Sequence, residues 1–459
     1  TGKDVIFRSD KTFSQDMYAC SIFVENGANV NFISESNAYV THNVNVEEGS
    51  SLTFESSCNL MQTENTQNIG NVIVKRNGSK LKRLDYILWS SPVTGTQTLH
   101  DFSPNTLDNR FYKYVNATNL YSSVDSYSTT FTKGKSFLIR MPNNHPTTPT
   151  VWTGVFEGTP NNGNVYYPLE YLDATHRFNA VGNPYPSPIS VAAFIDANIH
   201  NITGTLWVWR KTNDSTQSSY STITRAGYTA NQAPGGSSAD NELIGNPFEL
   251  APNVGVLNAG QGFIVKAKGA NKDLVFRNNM RMDLNYANFF RNANNDETPE
   301  VYLWSRLWLN VKGPQAENFS QILVGYSSNA TMGYDDGYDG TSLSGGDVNL
   351  SSIITEGEEE MKLAINARSP FVNTDVVRLG FNTEVAGTFT LELDHVDGLF
   401  TGDQNIYIVD ALTNNFHNIK EGNYTFSSEI GTFNDRFTIV YATEEELGTT
   451  VPVLDAKDV

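Results

Sequence analysis

Short apolar alternations, broken by glycine and asparagine, run the length of the chain, and the first of them repeat. Ile22 and Val24, then Val30 and Phe32, return 22 positions later as Val44 and Val46, then Leu52 and Phe54. Between them, Glu25-Asn26-Gly27-Ala28-Asn29 answers to Glu47-Glu48-Gly49-Ser50-Ser51, each with glycine at the turn. A period of two within each run, and equal spacing between runs, sets like residues above one another. That predicts coils of a parallel β-solenoid over residues 1–72, with a plain meander as the alternative for so few copies.

Beyond residue 72 the repeat gives way to strands predicted at 85–91, 134–141, 150–156, 204–210, 262–268 and 273–277, closely punctuated by proline and glycine. Two motifs echo inside this β-rich middle region, 73–298, which is one or two domains. Val181-Gly182-Asn183-Pro184-Tyr185 resembles Ile244-Gly245-Asn246-Pro247-Phe248, and Gly134-Lys135-Ser136-Phe137 resembles Gly260-Gln261-Gly262-Phe263. Such turns use glycine for positive φ and proline for a fixed φ, so related corners are expected. A polar stretch, 292–299, marks the next boundary. Residues 299–442 then read as a β-sandwich, with clear alternation in Thr388-Phe389-Thr390-Leu391, and 443–459 read as a linker. The expected fold class is all-β: a short N-terminal parallel β-solenoid followed by antiparallel β-sandwich-type domains.

Composition narrows the function classes. The chain has 459 residues with a formal charge of −19, which disfavours a phosphate-backbone partner. Its 26 phenylalanines and 21 tyrosines suit half-buried strands. No window of 18 apolar residues exists, so no helical membrane span is expected. Residue 1 does not open a signal peptide, and the chain reads as a piece of something longer. Cys20 and Cys58 are too few for a disulfide framework; they pair with each other or stay reduced.

Motifs of reactive chemistry are sparse. The seven histidines, His42, His100, His145, His176, His200, His395 and His417, never fall at metal-ligand spacing. Gly134-Lys135-Ser136 lacks the earlier glycine of a phosphate loop, where Thr129 stands, and Gly260-x-Gly262 meets Val265 where a dinucleotide fingerprint needs glycine. Trp152, Trp207 and Trp209 are candidates for stacking on sugars, although Trp207 and Trp209 share a strand face and fit a core better. Asp214-Ser215-Thr216 is either an O-glycan acceptor or a plain exposed loop. Carboxylates distant in sequence that converge for glycoside hydrolysis are a further alternative. The one dense cluster is Tyr334-Asp335-Asp336-Gly337-Tyr338-Asp339-Gly340, with Asp347 downstream. It offers hard oxygen donors for calcium from Asp335, Asp336, Asp339 and Asp347, or it is a solvated turn. It is not an EF-hand, because the twelfth position from Asp335 is Gly346.

Several runs together carry a family resemblance. They are Leu84-Asp85-Tyr86-Ile87-Leu88-Trp89-Ser90-Ser91-Pro92-Val93, Gly182-Asn183-Pro184-Tyr185-Pro186-Ser187, Asn279-Met280-Arg281, Arg306-Leu307-Trp308-Leu309-Asn310 and Gly431-Thr432-Phe433-Asn434-Asp435-Arg436-Phe437. The chain resembles secreted proteins of Bacteroidota that are substrates of the type IX secretion system. The resemblance implies a secreted or outer-surface location and contact with the type IX machinery during export. It also implies a carboxy-terminal sorting domain following residue 459, and it transfers no catalytic residues. The expected function is a non-catalytic adhesin or scaffold, with surface glycans or other surface proteins as partners. The alternatives are a carbohydrate-binding module assisted by calcium, or the non-catalytic region of a polysaccharide-degrading enzyme.

Overall fold

A computed structural model describes residues 2–78, 80–209, 220–229, 255–283, 304–315, 318–341, 343 and 346–443. The 244–248 echo, the 214–216 site, the 292–299 boundary and the 444–459 part of the linker lie outside the described residues. Two compact units are present: Thr1–Trp209 with Glu242–Ala293, and Arg210–Asn241 with Asn294–Val459. Both are β-rich. Parallel sheets stand at the N-terminus and predominantly antiparallel sheets elsewhere, so the expected fold class is the observed one.

In the first unit, nine short strands make three coils. Coil 1 is β1 (Val5–Phe7), β2 (Lys11–Phe13) and β3 (Met17–Ala19). Coil 2 is β4 (Ile22–Val24), β5 (Asn29–Phe32) and β6 (Asn37–Val40). Coil 3 is β7 (Val44–Val46), β8 (Ser51–Phe54) and β9 (Asn59–Gln62). Corresponding strands pair in parallel, so three sheets form the sides of a stack. Between coils 2 and 3 every pair is offset by the 22 residues of the repeat, as in Ile22 with Val44, Val30 with Leu52 and Asn37 with Asn59. Coil 1 is shorter: Val5 pairs with Ile22, Lys11 with Val30 and Met17 with Ala38.

Inward residues stack in columns. Phe13, Phe32 and Phe54 lie ring on ring at centroid distances of 4.9 and 5.0 Å. Burying a side chain such as Phe32 or Phe54 is worth about 1.5–3 kcal/mol. Gly27 and Gly49 hold the same turn at φ +72° and +86°, which a β-carbon would strain. Cys58 sits above Ser36, whereas Cys20 belongs to another corner and donates its thiol hydrogen to the Gly2 carbonyl; neither is in a disulfide.

β10 (Val72–Asn77) opens where the sequence repeat ends. It pairs in parallel with β8 on one side and antiparallel with Thr153–Pro160 on the other, converting a coil sheet into an antiparallel one. The rest of this unit holds a four-stranded sheet in the order Tyr86–Ser90, Ser136–Arg140, Phe111–Val115, Leu120–Ser123. Strands Phe178–Gly182, Gly262–Ala267 and Ile202–Trp209 pair beside one another. A helix, Val191–Asn198, begins where the Ser190 hydroxyl accepts the Ala193 N–H.

The second unit is sandwich-like, built on Ser305–Lys312, Phe319–Tyr326, Val348–Glu356, Glu359–Arg368, Val376–Thr383, Gly387–Val396, Tyr424–Ser428 and Gly431–Val440. Among the described residues, these strands pair antiparallel except Phe319–Tyr326 with Glu359–Arg368, which run parallel. Its core includes Leu309, Ile322, Leu379, Phe381, Phe389 and Phe437, all essentially without solvent contact.

Candidate functional site

The acidic loop of the second unit is the first place to look for chemistry. Asp339 is fully buried, and its two carboxylate oxygens serve two backbone N–H groups: Oδ2 takes that of Asp335 at 2.7 Å, and Oδ1 that of Ala367 at 2.7 Å. Burial pushes the Asp339 carboxyl up to about 7, and those N–H donors only partly oppose it. Asp335 turns the other way and accepts the Thr331 hydroxyl at 3.0 Å. Asp336 is exposed, and the Asp347 carbonyl receives the Glu384 N–H at 2.7 Å. The loop is tied to the Tyr220–Thr224 and Gly227–Thr229 hairpin: the Arg225 N–H reaches the Gly337 carbonyl, and the Thr224 hydroxyl reaches that of Tyr338. Among the described residues, no group of three or more histidine, cysteine or acidic side chains is arranged to hold a metal ion.

A second cluster escaped the sequence reading. Arg306, Trp308 and Asn310 alternate along one face of Ser305–Lys312. Opposite them, the partner strand pairs Leu393 with Leu309 and His395 with Trp308, so Asp394 is the extra residue of a bulge. His395 Nδ1 lies 2.6 Å from Asp394 Oδ2, and the imidazole stacks on Trp308 at 3.9 Å. Asn310 donates to Asp394, Arg306 pairs with Asp397, and the Trp308 indole N–H donates to the Tyr228 carbonyl. An Asp–His couple is half of a nucleophile-activating set. Among the described residues, no hydroxyl or thiol completes it by bonding the other ring nitrogen. The cue was present in sequence as the polar alternation 306, 308, 310. The bulge that supplies its partners was not.

Other polar groups join segments. Arg368 and Asp375 are bonded at 2.7 Å with almost no exposure, and the Tyr326 hydroxyl donates to the same carboxylate. Burial raises the Asp375 carboxyl, but the Arg368 hydrogen bonds and charge outweigh it and leave it below the ordinary range. Arg436 and Asp410 behave alike, with Tyr424 as the third member. In the first unit, Arg76 ends the inward row of Val72 and Val74. It donates to the carbonyls of Glu55, Ser56 and Cys58 and to Asn59 Oδ1. Burial without a carboxylate lowers its guanidinium to about 10, still protonated at neutral pH. Arg281 stacks on Tyr185 at 4.9 Å and donates to Ser187, Asn162 and the Leu60 carbonyl. The Gly-Asn-Pro-Tyr turn is thereby a joint: Asn183 binds three carbonyls, and the Pro186 carbonyl receives the Leu60 N–H from the coil edge.

The remaining sequence candidates fall into ordinary places. His42, His100 and His176 lie beside Glu64, Asp108 and Asp173, and His145 and His417 bond backbone carbonyls. Gly134 occupies a turn at φ +74° that leads into a strand, not a helix. Trp207 is wholly buried against Phe178, while Trp209 is half-buried against Tyr121, and Trp152 packs on Trp89. No helix among the described residues is long and apolar enough to cross a membrane.

No curated protein matches the chain, and no solved structure does. A family model matches residues 4–441, nearly the full length, and on that extent the chain belongs to the family described as Domain of unknown function, DUF8693.

Proposed function

We propose that the chain is a non-catalytic scaffold or adhesin of a bacterial cell surface, exported by the type IX secretion system. The observation that carries this reading is where the buried polar groups are spent. Arg76 and Arg281 lock the coil stack onto the antiparallel body, and Asp375 and Asp410 lock strands of the second unit. Such groups hold each unit together and are poorly placed to meet a substrate. Labelling of intact producing cells with an antibody against this chain tests it. Surface signal that disappears in a strain lacking the secretion machinery is the expected result; signal found only after lysis would overturn it.

One observation favours carbohydrate recognition as a second reading. Tyr18 and Tyr39 stack face to face with nearly parallel rings at 4.7 Å on the outside of the coils, and Tyr18 is 68% exposed. A glycan array probed with and without chelator tests both the binding and any calcium assistance. Binding that survives Tyr18→Ala would remove this reading.

A further inference from the structure

Three columns that run through the coil stack change character at coil 1. The inward column of Leu52 and Val30, both without solvent contact, continues as Lys11. Lys11 is exposed, and its ammonium turns back over Phe13 at 5.9 Å. The buried amide ladder of Asn59 and Asn37 continues as Asp16, and the ladder of Ser51 and Asn29 continues as Asp10. Asn37 works in both directions: its Oδ1 accepts the N–H and Nδ2 of Asn59, and its own N–H and Nδ2 are given to Asp16 Oδ1. An aspartate accepts but has no side-chain donor, so each ladder stops there. A coil of the same repeat seated on β1, β2 and β3 would bury the Lys11 ammonium, in the column of Val30 and Leu52, and the Asp16 carboxylate, in the column of Asn37 and Asn59, whereas Asp10 continues a ladder that stays exposed at Asn29.

We propose that coil 1 has the character of a cap, in which Lys11 and Asp16 disfavour the seating of a further coil on β1, β2 and β3, and Asp10 ends the exposed ladder beside them. Inward-pointing charge is a known protection of edge strands, and polar-faced end repeats keep solenoids soluble. The assignment is independent of the adhesin reading.

The test grafts a copy of Ser21–Val40 ahead of Gly2, which reproduces the spacing between Val40 and Val44. Amide hydrogen exchange at Ile6, Thr12 and Tyr18 is then read. With native coil 1, these amides exchange as fast as in the ungrafted chain. With Lys11→Val, Asp10→Asn and Asp16→Asn together, they slow by more than about tenfold and the melting temperature rises. Lys11→Val alone gives a partial slowing. Slowed exchange in the graft with native coil 1 would overturn the cap. So would unchanged exchange in the triple variant, because the three charges would then not be what closes the edge.

Discussion

The coil stack and the second unit solve one problem in opposite ways. Both bury polar side chains, yet the stack lays neutral amides over one another at the repeat spacing, as Asn59 does over Asn37. Where the stack does bury cations, it meets them with neutral oxygens, six of them in the case of Arg76. The second unit pairs opposite charges instead, across sequence separations of 7 for Arg368 with Asp375, 26 for Arg436 with Asp410 and 91 for Arg306 with Asp397. A repeat can reuse a residue because its neighbour is a copy of itself; a sandwich must find a complementary partner elsewhere. The stack should therefore tolerate changes of pH and salt that the second unit feels.

Breaking an ion pair tests the sharper half of that contrast. Asp410→Ala leaves Arg436 buried without its carboxylate and is expected to cost about 3–5 kcal/mol in chemical denaturation of the second unit. A loss below about 1 kcal/mol would mean that water reaches the guanidinium. Arg76→Met keeps the apolar stem but strips the donors from the carbonyls of Glu55, Ser56 and Cys58, for an expected loss of about 3 kcal/mol in the first unit. Asn37→Ala interrupts the amide ladder between Asp16 and Asn59 and is expected to cost about 1–3 kcal/mol. If Asn37→Ala costs as much as Asp410→Ala, the distinction between the two strategies fails.

The same contrast explains what could be read from sequence. Coils were legible because Ile22, Val30 and Asn37 pair at the repeat offset, so local pattern and tertiary contact are one fact. Coil 1 was not legible as a copy, because its pairings are offset by fewer residues and charge replaces Val30 and Asn37. The strands of the second unit were visible as alternation. Its Asp394–His395 couple was not, since a bulge is one extra residue with no mark in the sequence. The Gly-Asn-Pro motif was visible as a turn, but its use as a joint depends on Arg281, far along the chain. The acidic run 335–339 is legible in sequence as a set of oxygen donors, but that the Asp339 carboxyl is buried and accepts two backbone N–H groups turns on packing and is not.

That carboxyl gives the most diagnostic effect. Asp339 is raised by burial from 3.8 to about 7, so the native state holds its proton more tightly than the unfolded chain does. Its contribution is complete below about pH 4 and declines as pH rises toward 7. Asp375 and Asp410 are lowered, so their contributions hold above the ordinary carboxylate range and are lost only as pH falls below it. The second unit should therefore gain stability on acidification from pH 8 to about pH 5, and lose it further down. Asn at position 339 removes the gain but keeps one oxygen for a backbone donor. In denaturant titrations, the gap between the native chain and Asp339→Asn should widen from pH 8 to pH 5. The transition of the first unit, whose ladder asparagines do not titrate, should show no counterpart. A constant gap would mean that Asp339 keeps the same charge throughout, and that the buried acid does not set the second unit apart.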